Sequence, residues 1–156
     1  NLSINEFTAA KDGKKGTFFE SLPLQLIQRL KNDGNVHERP SGAITITNMF
    51  NKTVATFPYN PGARHILPAS IRKFEQNVDS SLVNNSRLFG KYTAKLSVIY
   101  GEGNQKTATS TVTFWVIPWK LVAAIIAGLV IGFFALRLAI TRYNRYIIKR
   151  SSNRRR

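Results

Sequence analysis

A run of sixteen residues with no charged or strongly polar side chain, LVAAIIAGLVIGFFAL at positions 121–136, constrains this chain more than any other feature. At about 1.5 Å of rise per residue it gives roughly 24 Å of helix, short of a hydrocarbon core of about 30 Å. Extension to Ile117 and Ile140 gives about 36 Å, enough to cross a bilayer with some tilt. Lys120 and Arg137 then fall near opposite faces, where their long stems carry the charges out to the headgroups. Trp115 and Trp119 fall in the interfacial aromatic belt. A buried core helix is the poorer reading of this segment.

Charge sets the expected orientation. From Arg137 onward there are eight Lys or Arg residues and no Asp or Glu, and a basic excess beside a membrane end is retained in the cytoplasm. The pattern predicts a single-pass cell-membrane protein with an extracellular domain at 1–116, a transmembrane helix at 117–140 and a basic cytoplasmic tail at 141–156. An exported N-terminal domain normally needs a signal, and no signal pattern is present, so an upstream part is expected. Of the formal net charge of +15, +9 comes from Lys120 onward (nine basic, no acidic residues) and +6 from the fourteen basic and eight acidic residues before it. The bilayer accounts for most of this excess and no nucleic-acid partner is inferred; a mildly basic outer domain suits an anionic envelope. The chain has no Cys, which leans towards a bacterial envelope protein stabilised by its core alone. The sequons at Asn1, Asn51 and Asn84 matter only in a host that glycosylates them.

Before the apolar run the chain reads as short strands. Leu2 and Ile4 alternate with Ser3 and Asn5, and residues 11–16, KDGKKG, read as a solvated loop. In the next strand Leu22, Leu24, Leu26 and Leu30 share one face, and residues 32–35, NDGN, turn the chain. Residues 44–47 and 54–57 form a hairpin across Asn51-Lys52. Pro58, Pro61-Gly62 and Pro68 confine the next stretch to loop or edge, and residues 70–76 make a weaker strand. A clearer hairpin pairs Tyr92, Ala94, Leu96, Val98 and Tyr100 with Ala108, Val112 and Phe114 across GEGN at 101–104. About seven such strands point to an all-β immunoglobulin-like sandwich followed by a single transmembrane α-helix. Two readings of Tyr92 are open: a tyrosine corner, whose phenol satisfies a backbone group at the start of its strand, or a plain core tyrosine.

Motifs spread through this domain resemble a known family. FFE at 18–20, KNDGNVH at 31–37, PSGAI at 40–44, LPASIRKFE at 67–75, FGKYTA at 89–94 and FWVIPWK at 114–120 together resemble the membrane-proximal part of WxL-interacting-protein-like bacterial cell-surface proteins. The likeness covers most of residues 17–120 and rests on the order of the motifs. It implies an upstream sandwich domain, one membrane helix, a basic tail, and a non-catalytic role in binding peptidoglycan or another surface protein. It carries over no binding residue.

No enzyme signature appears, and no cofactor is expected. His37 and His65 stand apart without Cys or a spaced His partner, so no metal pattern exists. Glu20, Glu38 and Glu75 read as solvated surface carboxylates. The loop from Tyr59 to Pro68, with Arg64 and His65, is the candidate contact surface for a ligand. Ala124, Gly128 and Gly132 recur every fourth residue and form one small-residue stripe suited to helix–helix association. Beyond the span, Ile140, Tyr143 and Ile147 share a helical face and Arg142, Arg145 and Lys149 another, so the helix is expected to continue along the interface, with disorder from Ser151. Two functions are compatible with this pattern: a surface protein whose outer domain holds a cell-wall polymer or another surface protein, or an accessory single-span subunit of a membrane complex.

Overall fold

Alternation of inward apolar and outward polar side chains organises everything before the apolar helix. The computed structural model describes residues 1–22, 24–79 and 89–152, with residues 104 and 144–152 described by their backbone alone. The chain divides into two units, Asn1–Ile117 and Pro118–Arg156.

The first unit is a two-sheet β-sandwich. One sheet has the order β2-β1-β4-β7, built from β1 (Leu2–Lys11), β2 (Lys14–Lys15), β4 (Leu24–Asn32) and β7 (Ile71–Val78). The other has the order β3-β9-β8-β5-β6, built from β3 (Phe18–Phe19), β5 (Ser41–Asn48), β6 (Thr53–Tyr59), β8 (Gly90–Tyr100) and β9 (Lys106–Val116). The neighbours are antiparallel except β3, which runs parallel to β9. Leu24, Leu26 and Leu30 from β4 and Ile44, Ile46, Leu96, Val98 and Phe114 from the facing sheet are fully buried in one core. Each such side chain contributes about 1.5–3 kcal/mol by leaving water.

The two predicted hairpins, β5–β6 and β8–β9, form as expected. Three other stretches differ. β1 is ten residues long, and a register shift between Ile4 and Glu6 breaks the alternation that would have shown it. Residues 11–16 are not a loop: Asp12-Gly13, with φ of 50° and 77°, makes the two-residue turn of a β1–β2 hairpin that pairs Lys11 with Lys14. Asn32 is no turn residue but the buried end of β4. Its Nδ2 donates to the Val36 and Ile66 carbonyls at 2.8 and 3.1 Å, and its Oδ1 accepts from Gly34 N at 2.9 Å. Gln28, also buried in β4, donates to Leu26 O at 2.6 Å. Both meet the rule that a buried amide is bonded.

The second unit contains α1 (Trp119–Ser152). Residues Trp119–Tyr143 are long and apolar enough to cross a membrane. The helix starts two residues later than 117 because of Pro118. That residue has no N–H to give, and its carbonyl accepts the first helical bonds from Leu121 and Val122 at 3.0 and 3.2 Å. Ile117 belongs to the sandwich, donating to Phe19 O at 2.8 Å. The helix continues beyond residue 140 as expected, and runs through Ser151 and Ser152, where disorder was expected. The faces at Arg145, Ile147 and Lys149, residues 153–156 and the Asn84 sequon lie outside what is described.

Candidate functional site

Proline and left-handed backbone shape the connection after β6, and a buried amide holds it. Asn60 (φ 50°) donates from Nδ2 to Pro40 O and Arg64 O at 2.8 and 2.9 Å, and its Oδ1 accepts from Arg64 N at 2.9 Å. The loop is therefore clamped to the β5 entry, and Arg64 is exposed at its surface.

Tyr59 does not belong to that surface. It is the last residue of β6, is 4% exposed, and packs its ring against Phe74 at 5.1 Å between centroids. The strand alternation that buries Ile44 and Phe57 carries Tyr59 inward as well, opposite Gly42. Gly42 (φ 151°) cannot be replaced freely, since a Cβ there would lie 2.0 Å from Ser97 O. The Tyr59 phenol has no hydrogen-bond partner among the described residues, and burial pushes its pKa far above the ordinary tyrosine range. With Arg64, Gln28 and Phe74 it lines a cleft of about 160 Å³. Of the three expected contact residues, Arg64 and His65 are exposed and Tyr59 is a core residue.

The two histidines, distant in sequence, are adjacent in space, which corrects the expectation that they stand apart. An isolated bridge between Glu38 and Ile66 joins their loops, and the His37 and His65 rings meet edge to face with centroids 5.3 Å apart. The same bridge turns Ile66 into the core and leaves the imidazoles outside with exposed Val36 and Leu67. Among the described residues there is no group of three or more His, Cys, Asp or Glu able to hold a metal ion. Carboxylates expected to be merely solvated are occupied structurally: Glu38 accepts from Gly101 N at 3.0 Å, and Glu75 pairs with Lys73.

A feature that the sequence alone did not bring out lies on the outer face of the five-stranded sheet. β9 reads KTATSTVTFWV, and its register places Thr109 beside Ser97, Thr111 beside Lys95, Thr113 beside Thr93 and Trp115 beside Lys91. β5 extends the rows, with Thr45 on the far side of Lys95 and Thr47 on the far side of Thr93. The result is a pleated surface of hydroxyl groups. Its ionisable groups on these rows are Lys91 and Lys95, about 13 Å apart along β8. No carboxylate lies on these rows, and neither lysine forms an ion pair among the described residues. The opposite sheet differs. There Glu6 pairs with both Lys15 and Arg29, the Lys15 hydrogen bond first and the neighbouring cations after it holding its carboxyl below the usual range. Strict Thr-x-Thr-x-Thr-x-Thr spacing at 107–113 was the available signal, since period two places all four on one face.

The residues assigned to the membrane separate. Trp115 is in β9, its ring stacked on Phe18 at 6.3 Å and its backbone N–H donating to Thr17 O at 2.6 Å. Trp119 opens α1, and Lys120 Nζ lies 5.9 Å from its ring centroid. Arg137 lies within α1, and its carbonyl accepts from the Thr141 hydroxyl at 2.8 Å. Ala124, Gly128 and Gly132 are exposed on α1, and a Cβ at either glycine would meet nothing within 4 Å.

No protein-family model matches the chain, and no curated protein matches it in sequence. Among solved structures it is similar to the crystal structure of the C-terminal domain of wzt, with a TM-score of 0.52 and 8% identity, covering 74% of this chain and 72% of that one. At that identity the likeness speaks for the sandwich fold alone.

Proposed function

We propose that this is a membrane-anchored bacterial cell-surface protein, non-catalytic, whose sandwich holds a cell-wall polymer outside the cell while α1 spans the membrane and the basic C-terminal end lies in the cytoplasm. The observation that carries the binding role is the outer face of the β3-β9-β8-β5-β6 sheet, where Thr45, Thr47, Thr93, Ser97, Thr109, Thr111 and Thr113 share the rows with Lys91 and Lys95, alongside Ala43, Ile99 and Trp115. Hydroxyl groups exchange hydrogen bonds with a glycan in both directions, and Lys91 and Lys95 suit its acidic groups. The topology is supported by the eight basic and no acidic residues from Arg137 onward.

The finer readings belong to the same proposal. An immunoglobulin-like sandwich is supported by Tyr92, whose phenol accepts from Phe89 N at 3.2 Å and donates to Phe89 O at 3.3 Å, just before its own strand begins. Membership of the WxL-interacting-protein-like group rests on the motif order at 17–120 and offers another surface protein as the competing ligand.

The full chain in nanodiscs should pellet with purified, protein-free wall from a bacterium with one membrane and a thick wall. That binding should fall with salt, and should drop several-fold in Lys91→Ala/Lys95→Ala but not in Lys14→Ala. Wall that fails to bring down the wild-type chain refutes the polymer reading.

A further inference from the structure

Phe18, Met49, Phe50 and Phe89 are 70%, 50%, 81% and 62% exposed, and the register gathers them at one end of the sandwich. Phe18 pairs with Trp115 near the end of β9, and Gly90, next to Phe89, pairs with Val116, the last residue of β9. Met49 Cε lies 2.6 Å from where a Gly90 Cβ would stand, so the β5–β6 turn reaches the same rim. That turn is held in place. Asn48 Oδ1 accepts from Phe50 N and Lys52 N, both at 3.0 Å, and Asn51 N donates to Asn48 O at 3.0 Å. Phe50 is thus presented to solvent by a bonded scaffold rather than left there by a loose loop.

We propose that this rim is a membrane-contact surface, with Phe18, Met49, Phe50 and Phe89 seated in the interfacial layer of the leaflet that α1 enters. The inference rests on the reading of α1 as a membrane span. Four large apolar side chains clustered at one end form the kind of patch that marks an interaction site, and aromatic rings favour the headgroup level of a bilayer. Chain continuity names the lipid as occupant: only residues 117 and 118 separate the end of β9 from the start of α1. The opposite end serves as a contrast. There exposed Val36 and Leu67 are interspersed with His37, Arg39, His65 and Lys106, a composition that water suits.

The chain has no cysteine, so single spin-labelled cysteines report unambiguously in the full chain, reconstituted in nanodiscs of phosphatidylcholine and phosphatidylglycerol. Labels at Phe50→Cys, and at Lys52→Cys with Phe50 kept, should collide several-fold more with oxygen, relative to a water-soluble nickel chelate, than a label at Lys106→Cys. A label at Leu129→Cys should exceed them all. If Leu129 reports hydrocarbon while both turn labels match Lys106, the rim is overturned and the span stands. If Leu129 is itself open to the chelate, the span fails and the rim with it. Turn labels shielded from both relaxants mean that protein covers the rim, and also overturn the proposal.

Discussion

Removing one hydroxyl group from each of two buried tyrosines should shift stability in opposite directions. Tyr59 and Tyr92 are 4% and 5% exposed, and both rings pack against a phenylalanine of the core. Their phenols differ. That of Tyr92 both accepts from and donates to the Phe89 backbone, whereas that of Tyr59 has no partner among the described residues. A buried polar group without a bond costs about 1–3 kcal/mol, and a neutral hydrogen bond contributes about 0.5–1.5 kcal/mol net. Tyr59→Phe should therefore stabilise the sandwich by about 1 kcal/mol. Tyr92→Phe should destabilise it by about 1 kcal/mol, because exposed Phe89 can turn to water for its lost bonds.

Urea unfolding of residues 1–117 measures this cleanly, since Trp115 is the one tryptophan in that unit. For a domain of this size the midpoints of thermal unfolding should move by about 4 °C each way. The pH dependence has a defined sign. Burial raises both folded pKa values above the unfolded value of about 10. Their contribution is fully present below about pH 10 and is lost as pH rises towards the folded values. Tyr59→Phe should flatten that alkaline loss. If Tyr59→Phe destabilises as much as Tyr92→Phe, the Tyr59 phenol has a bonding partner and the reasoning fails.

Three further outcomes are expected. Glu6 has a lowered pKa, so the stability it gains from Lys15 and Arg29 is present above about pH 4.3 and fades as pH falls through the folded value; for so exposed a pair Glu6→Gln should cost at most about 1 kcal/mol at pH 7 and nothing at pH 2, read by urea titration. Asn60→Ala removes three hydrogen bonds from the 60–64 loop and should cost about 2 kcal/mol, while trypsin should cut at Arg64 sooner than in the wild type. On wall-stripped intact cells, external protease should digest the sandwich and spare a C-terminal tag, and the reverse pattern would invert the assigned topology.

Legibility in the sequence tracks the strength of local signals. β8 was legible because its eleven residues alternate throughout, β9 because alternation runs from Thr107 to Val116, and α1 because its apolar run has few competing interpretations. β1 was cut short by a shift at one residue, and the β1–β2 hairpin was hidden because Lys on both sides of Asp12-Gly13 looks like a solvated loop. Buried Gln28 and Asn32 occupy positions where alternation demands an inward side chain and composition denies it. The nearby carbonyls of Leu26 and Val36, and that of Ile66 brought close by folding, make those positions tolerable.

The candidate surfaces were harder for a related reason: each depends on residues that only the fold makes neighbours. Tyr59 looked exposed because Pro58 precedes it and Pro61-Gly62 comes after, yet Pro58 sits on edge strand β6, where no ladder N–H is required of it. The strand therefore runs through it and its parity sends Tyr59 inward. His37 and His65 meet through the bridge at Glu38 and Ile66, a pairing that neither segment announces by itself. The hydroxyl face needs three strands in register before Thr111, Lys95 and Thr45 form a row. Threonine in a strand already has a sufficient cause in its β-branched shape, and that is why four of them in alternation at 107–113 did not stand out. What distinguishes this face is that, among the described residues, no carboxylate pairs beside Lys91 and Lys95. The other sheet carries Glu6 and Glu75 against Lys15, Arg29 and Lys73, so that each of these cations is paired with a carboxylate. Among the described residues the cations facing outward from the β8 rows have no such compensation, so an acidic ligand gains from them without first breaking an ion pair.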